Sequence, residues 1–391
     1  MTDIRLGSDA DRDDILRILE RSDSTDRTVA TWDGNAMRAV LAFDGDALVG
    51  VLPLEARHLE TGLGDPVPVL WVTGAHVDPD YRSQGIGRRL DTFAANAFAS
   101  DFDAVCVFRE DETSRAYAWY RTCGFHPLTP IVAYKLVLPA QAPEPNAAAA
   151  SALDARVLQS RDDLGQAGPA LRACFYEHAG GYGGFRERTP DFWRQVVDAH
   201  YYRDLYRYSI LALFDGDRVV AYALAGQTDM RDGVPRFDLL ELVAPATGPV
   251  FERLHGLLVS TALACGLREL RLQFTGGDDR IPFFESIGYV TRNRPTNILG
   301  KLLAPARMLS RRPPADGRGW QWRAPGHGEI VTAEAGGRVT AESTDAALAG
   351  YCFGRLGAVG AVATGGMSRV ALPLGVDDRV IPWRYFQVDY A

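Results

Sequence analysis

Alternation of apolar and polar positions picks out a β-hairpin early in the chain. Ala39-Val40-Leu41-Ala42-Phe43 leads into a turn at Asp44-Gly45-Asp46, and Ala47 to Leu54 returns in strand text. Upstream, Ile15, Leu16 and Leu19 fall on one face of a predicted helix from Asp9 to about Glu20. Downstream, Val69 to Val77 reads as one buried strand, closed by Pro79 because proline cannot donate to a ladder. Ile86, Leu90, Phe93 and Ala97 then recur at helical spacing. Ala104 to Phe108 is a short apolar run suited to a buried strand. A helix from Thr113 to Tyr120 ends near Gly124, where a left-handed cap is expected, and Ile131 to Leu138 reads as a closing strand.

The text then changes. PAQAPEPNAAAASAL, from Pro139 to Leu153, is Pro- and Ala-rich and reads as a linker. Beyond it the chain repeats itself. Leu213-Phe214-Asp215-Gly216-Asp217-Arg218-Val219-Val220 echoes Ala42-Phe43-Asp44-Gly45-Asp46-Ala47-Leu48-Val49. Phe284-Glu285-Ser286-Ile287-Gly288-Tyr289 echoes Tyr120-Arg121-Thr122-Cys123-Gly124-Phe125 in the same order, as a tandem duplication would give. The expected organisation is a first domain at 1–138, a linker at 139–154, a degenerate second copy at 155–302 and a third unit at 303–391. In that third unit, Ser343 or Thr344 is placed to cap a helix through Ala347, Leu348, Tyr351 and Leu356.

Composition narrows the class. With 391 residues, 47% hydrophobic and 24% charged, the chain reads as a soluble protein of two or three domains. A net charge of -8 argues against nucleic acid as a partner and favours a cationic one. The start lacks a signal-like apolar region and no stretch reads as a membrane span, so a cytoplasmic protein is expected. Five scattered cysteines without a C-x-x-C pair, and seven histidines without metal spacing, argue against zinc or a disulfide framework; no metal site is expected.

Chemistry concentrates at Arg82-Ser83-Gln84-Gly85-Ile86-Gly87, between the Val69–Val77 strand and the next helix. Such a loop leaves backbone N–H groups free at the positive end of a helix, and glycines there let phosphates reach the backbone. Taken alone, the six residues fit an ordinary strand-to-helix turn as well as an anion site. A nucleotide P-loop would want Lys and then Ser or Thr where Arg88 and Arg89 stand, and a dinucleotide fingerprint would want glycine at Leu90. The second copy reads Ala244-Pro245-Ala246-Thr247-Gly248-Pro249 at this point, with a proline where donors are needed and Phe284 at the Tyr120 position.

The longer string Val77-Asp78-Pro79-Asp80-Tyr81-Arg82-Ser83-Gln84-Gly85-Ile86-Gly87 resembles the acetyl-coenzyme A loop of the GNAT superfamily of N-acetyltransferases. An intact copy, a degraded copy and a small C-terminal unit together resemble the enhanced intracellular survival (Eis) family over nearly the whole chain. The resemblance implies an α/β (α+β) architecture: tandem GNAT folds with mixed twisted sheets and flanking helices, followed by a sterol-carrier-like domain. It implies acetyl-coenzyme A as co-substrate, a primary amine of an aminoglycoside, polyamine or lysine-like acceptor, and a homo-oligomer such as a hexamer.

Carried over by position, Ala75, His76 and Val77 would pair with the pantetheine amides. Arg82, Ser83, Gln84, Gly85, Ile86, Gly87 and Arg88 would hold the pyrophosphate, and Arg115 would flank the pantetheine arm. Tyr120 would be the general acid and the C-terminal carboxylate, here Ala391, the general base. This chain departs from the family by ending in Ala after Asp389-Tyr390, which leaves Asp389, His76 or water as other bases. A non-catalytic acyl-coenzyme A sensor or scaffold is the alternative reading.

Overall fold

The computed structural model describes residues 2–20, 37–62, 65–109, 112–138, 153–194, 206–228, 236–275, 278–292, 296–312, 319–332, 338–342 and 344–353. These fall into two compact units, each discontinuous in sequence. One holds the described residues up to Pro130 and those from Thr296 on; the other holds those of Ile131–Pro295.

In the first unit the strand order is β1 (Asp3–Leu6), β2 (Met37–Asp44), β3 (Ala47–Glu60), β4 (Val67–Val72), β6 (Ala104–Arg109) and β15 (Thr296–Leu302). The short β5 (His76–Val77) sits beside β3. All neighbours are antiparallel except β4 and β6, which run parallel from Val69↔Ala104 to Trp71↔Cys106. Helices α1 (Arg12–Glu20), α2 (Ile86–Phe98) and α3 (Arg115–Thr122) accompany this sheet. Ile86, Leu90, Ala94 and Phe98 of α2 are buried in one cluster with Val40, Leu52, Leu70 and Val105 of the strands. The buried stripe of α2 therefore runs through Ala94 and Phe98, whereas Phe93 is half-buried and Ala97 exposed. Gly50 of β3 makes room for this helix: a Cβ there would meet Ile86 Cγ2 at 3.1 Å and Leu90 Cδ1 at 3.2 Å.

The second unit repeats the plan. Its order is β8 (Asp154–Leu158), β10 (Tyr206–Asp215), β11 (Arg218–Thr228), β12 (Arg236–Val243), β13 (Glu269–Thr275) and β7 (His126–Val137, from Ile131 on), with β14 (Val290–Thr291) on β7. Again one pair, β12 and β13, is parallel. The short β9 (Phe185–Arg186) and helices α4 (Arg161–Ala179), α5 (Pro249–Ala264) and α6 (Ile281–Ser286) complete it. The strand that follows the first copy's last helix thus closes the second unit, pairing Ile131–Val137 with Thr275–Glu269. The strand that follows the second copy's last helix closes the first, pairing Asn297–Leu302 with Arg109–Ala104.

The duplication read from the sequence is also geometric. Both Asp-Gly-Asp hairpins bulge at the same place, between Ala42 and Phe43 and between Leu213 and Phe214, and turn on glycines at φ 60° and 59°. Both helix ends close alike: Phe125 N donates to Tyr120 O at 3.1 Å, and Tyr289 N to Phe284 O at 3.0 Å. Left-handed Gly124 and Gly288 make these turns. The ring pairs Tyr120–Phe125 and Phe284–Tyr289 meet edge-on at 5.1 and 5.0 Å.

The described residues beyond β15 include α7 (Pro305–Ser310), α8 (Asp345–Cys352) and a separate sheet. In that sheet β16 (Gly319–Ala324) pairs antiparallel with β17 (Gly328–Val331) and parallel with β18 (Arg338–Glu342). Thr344 caps α8 through Ala347 N at 3.2 Å, as the sequence predicts. Buried Trp322 stacks on Tyr351 of α8 with centroids 5.1 Å apart. Leu356 and the linker run at 139–152 lie outside the described residues.

Candidate active site

The Val69–Val77 segment, expected as one strand, is two. β4 ends at Val72, opposite Leu54, and β5 resumes with His76 opposite Val51. Three steps on β3 thus face four on the other side, so Thr73–Ala75 form a bulge, held by Thr73 N to Pro53 O at 3.3 Å. The parallel pairing with β6 ends at Trp71↔Cys106, and β5 pairs with β3 instead. A cleft of about 490 Å³ lies beside β5, with β5 on one wall and α3 on the other.

The loop after β5 is braced by its own bonds. Asp78 N donates to Val49 O at 2.9 Å, Asp80 N to Asp78 Oδ1 at 3.0 Å, and Arg82 Nε to Val77 O at 3.0 Å. Tyr81 faces Asp44 of the hairpin turn, whose negative charge raises its phenol above the usual tyrosine range. Gly85, at φ 76°, turns the chain into α2, and nothing lies within 4 Å of a Cβ placed on it. Its requirement is conformational. Gly87 is needed for space: a Cβ there would meet the Trp119 indole at 3.1–3.3 Å.

Of the residues predicted for this site, Ala75, His76, Val77, Arg82, Ser83, Gly85, Ile86, Gly87, Arg88 and Arg115 all line the cleft. Gln84 is not a lining residue; its amide reaches Asp80 O at 3.5 Å. Tyr120 is adjacent to the cleft wall but 2% exposed, its ring packed against Trp119 and Phe125 in the core. The face of α3 turned to the cleft is Arg115, Ala116, Trp119 and Thr122. Ala391 and Asp389 lie outside the described residues.

Sequence reasoning missed Trp119, although its spacing of four from Arg115 on a predicted helix places both on one face. Leu52 and Tyr81 were missed too. The described lining carries Arg82, Arg88 and Arg115 and no carboxylate, although the chain as a whole is acidic. A helix start, two glycines and three guanidinium groups are the chemistry a phosphate-bearing ligand would need. Among the described residues no cluster of histidine, cysteine, aspartate or glutamate could hold a metal.

Residues 36–127 match the acetyltransferase (GNAT) domain. That span runs from β2 to the end of α3 and contains the whole loop and cleft. No curated protein sequence matches the chain. Among solved structures, the chain is similar to a GCN5-related N-acetyltransferase from Anabaena variabilis at 13% identity and a TM-score of 0.73, over 99% of this chain and 100% of that one. It is similar to Eis1 from Mycobacterium abscessus at 17% identity and a TM-score of 0.62, over 98% of each. A tandem GNAT protein from the clavulanic acid biosynthesis pathway matches at 13% identity and a TM-score of 0.50, over 78% of this chain and 99% of that one. These likenesses are of fold, and they agree with the α/β GNAT architecture expected from the loop.

The corresponding loop of the second unit differs in length and ends at a proline. From Val243 to Gly248 it is three residues shorter than from Val77 to Gly85. Gly248, at φ 102°, then leads into a helix whose first residue is Pro249. Phe283 stands at the Trp119 position, and Phe251 meets it edge-on at 4.7 Å. In the first unit the Trp119 indole instead lies against Gly87.

Proposed function

We propose that the protein is an acetyl-coenzyme A-dependent N-acetyltransferase acting on a primary amine of a small cationic acceptor such as an aminoglycoside, polyamine or lysine-like group. The observation that carries this reading is the cleft between β5 and α3, lined by residues of the Arg82–Gly87 loop and free of carboxylates among its described lining. The loop amides and arginines would take the pyrophosphate, and the β5 backbone at Ala75–Val77 the pantetheine arm.

In the reaction the neutral amine attacks the acetyl carbonyl, forming the C–N bond as the C–S bond breaks. The bulged backbone near His76 would stabilise the oxyanion. A base takes the proton from nitrogen and an acid supplies one to the departing thiolate. Tyr120 is the proposed acid and the Ala391 carboxylate the proposed base. The first copy would hold the chemistry, the second would be a degenerate GNAT domain, and 303–391 would be a sterol-carrier-like domain. A cytoplasmic homo-oligomer, such as a hexamer, belongs to the same reading.

Burial of the Tyr120 ring outside the cleft lining favours one other reading, a non-catalytic acyl-coenzyme A sensor. Incubation with acetyl-coenzyme A and an amine panel, with free thiol followed, separates the two. Thiol release that depends on an amine supports the transferase; tight coenzyme binding with no release from any amine supports the sensor. Tyr120→Phe should cut turnover while coenzyme binding persists, and residues appended after Ala391 should impair an enzyme that uses its terminal carboxylate.

A further inference from the structure

Ser83 is the one non-glycine residue with positive φ among the described residues, at 66°. An L-residue is disfavoured there and persists only where its surroundings hold it. The strain sits inside the loop, one residue after Arg82 and two before Gly85, where the chain turns from β5 into α2.

The loop's own bonds do not account for it. Tyr81 N to Asp78 O at 2.9 Å and Arg82 N to Pro79 O at 3.3 Å brace the chain as far as Arg82, and Gln84 Nε2 to Asp80 O at 3.5 Å reaches back across it, but none of these bonds is to Ser83. Arg89 N to Gly85 O at 3.1 Å belongs to the helix that follows. The bond to Ser83 itself comes from elsewhere: Arg115 Nη2, at the start of α3, donates to Ser83 Oγ at 3.2 Å. Arg115 and Ser83 both line the cleft, so this bond spans its mouth. A glycine at 83 would adopt the same backbone without help.

We infer that Arg115 is a positioning residue. It holds Ser83 in the left-handed conformation through which the loop turns toward Gly85 and α2, so that the loop is formed before a phosphate arrives. The same bond ties the loop to the helix carrying Trp119 and Tyr120. This inference rests on the proposed coenzyme site, and it differs from a role in which Arg115 merely contacts a phosphate or flanks the pantetheine arm. A charge contact acts whatever stands at position 83; a positioning contact becomes dispensable once position 83 is glycine.

The test uses the full chain, with coenzyme A titrated calorimetrically into the wild type, Arg115→Ala, Ser83→Gly and the double variant. Loss of a hydrogen bond from a charged donor predicts about tenfold weaker binding in Arg115→Ala. Its KM for acetyl-coenzyme A should rise more than its kcat falls. In the Ser83→Gly background, removing Arg115 should cost little, a strong coupling between the two sites. An Arg115→Ala variant that binds as the wild type does, or the same tenfold loss in the glycine background, would overturn the assignment. Amide hydrogen exchange of the free protein supplies a ligand-independent arm: residues 82–87 should exchange faster in Arg115→Ala, and unchanged exchange also overturns it. If the wild type binds no coenzyme A, the proposed function falls, while the exchange arm still decides the Arg115–Ser83 relation.

Discussion

Lys301 Nζ lies 2.6 Å from Asp91 Oδ2, joining β15 to the helix that follows the Arg82–Gly85 loop. Both side chains are largely buried, at 17% and 8% exposure. Burial outweighs the lysine and leaves the Asp91 carboxyl above its usual range. The last-strand exchange is therefore fastened to the site helix by an ion pair with little access to water.

Replacing Lys301 by Met should destabilise the protein by about 3 kcal/mol at neutral pH, because it strands a buried carboxylate. A carboxyl whose folded pKa is raised disfavours the native state as pH rises through that pKa, and the penalty fades as it protonates. The difference between Lys301→Met and wild type should thus be larger at pH 7 than at pH 5 in urea unfolding. A pH-independent difference would show that the ion pair is not its source. Adding Asp91→Asn should recover part of the loss.

Gly87→Ala should weaken coenzyme binding several-fold, since its Cβ must displace the Trp119 indole from 3.1–3.3 Å. Gly85→Ala should also weaken binding, for a different reason: its Cβ meets nothing, but φ 76° costs an alanine about 1–2 kcal/mol. Shortening Trp119 to Leu should relieve the first variant and leave the second unchanged. Coenzyme titrations of the four proteins check this, and equal relief of both would contradict the separation.

These glycines illustrate what was legible in the sequence. Glycine spacing marked the loop, Asp-Gly marked both hairpins, and Gly124 and Gly288 marked equivalent helix ends, because each signal is local backbone chemistry. Pairing is not local. The text of Ile131–Leu138 predicts a strand but carries no sign of which sheet it joins, and the strand at Thr296–Leu302 was not read from the sequence, so the exchange is visible only in the β7–β13 and β15–β6 registers. The break at Thr73–Ala75 was equally hidden, since a bulge inserts one residue without changing apolar composition. On α2 the spacing through Phe93 and Ala97 was read, but the strands cover Ala94 and Phe98, a choice made by the partner surface.

Trp119 lines the cleft and lies against Gly87, so a bound coenzyme should alter its emission. Titration with coenzyme A should produce a saturable change in tryptophan fluorescence that Trp119→Phe removes, even though six other tryptophans remain in the sequence. Persistence of the change in Trp119→Phe would place the ligand elsewhere.

His255 on α5 packs among the aromatic rings of the second unit's core. Its ring lies parallel to Phe251 at 6.3 Å, edge-on to Phe284 at 6.4 Å, and 3.2 Å from the Tyr289 hydroxyl through Nε2. Burial among these rings lowers its pKa to about 4. The unfolded chain holds the proton more tightly, with an ordinary histidine pKa of about 6.5. Between those values the unfolded state binds more protons, so stability is fully present above about pH 6.5 and declines as pH falls toward 4. The full contribution is about 3 kcal/mol at most. His255→Gln keeps a neutral hydrogen-bonding group beside Tyr289 but has no proton to gain. Its unfolding free energy should fall less steeply from pH 7 to pH 5 than that of the wild type. The comparison isolates the histidine, because acid groups shared by the two proteins cancel in the difference. Identical slopes would mean that His255 is solvated in the folded state, and that the rings of Phe251, Phe284 and Tyr289 do not exclude water from it.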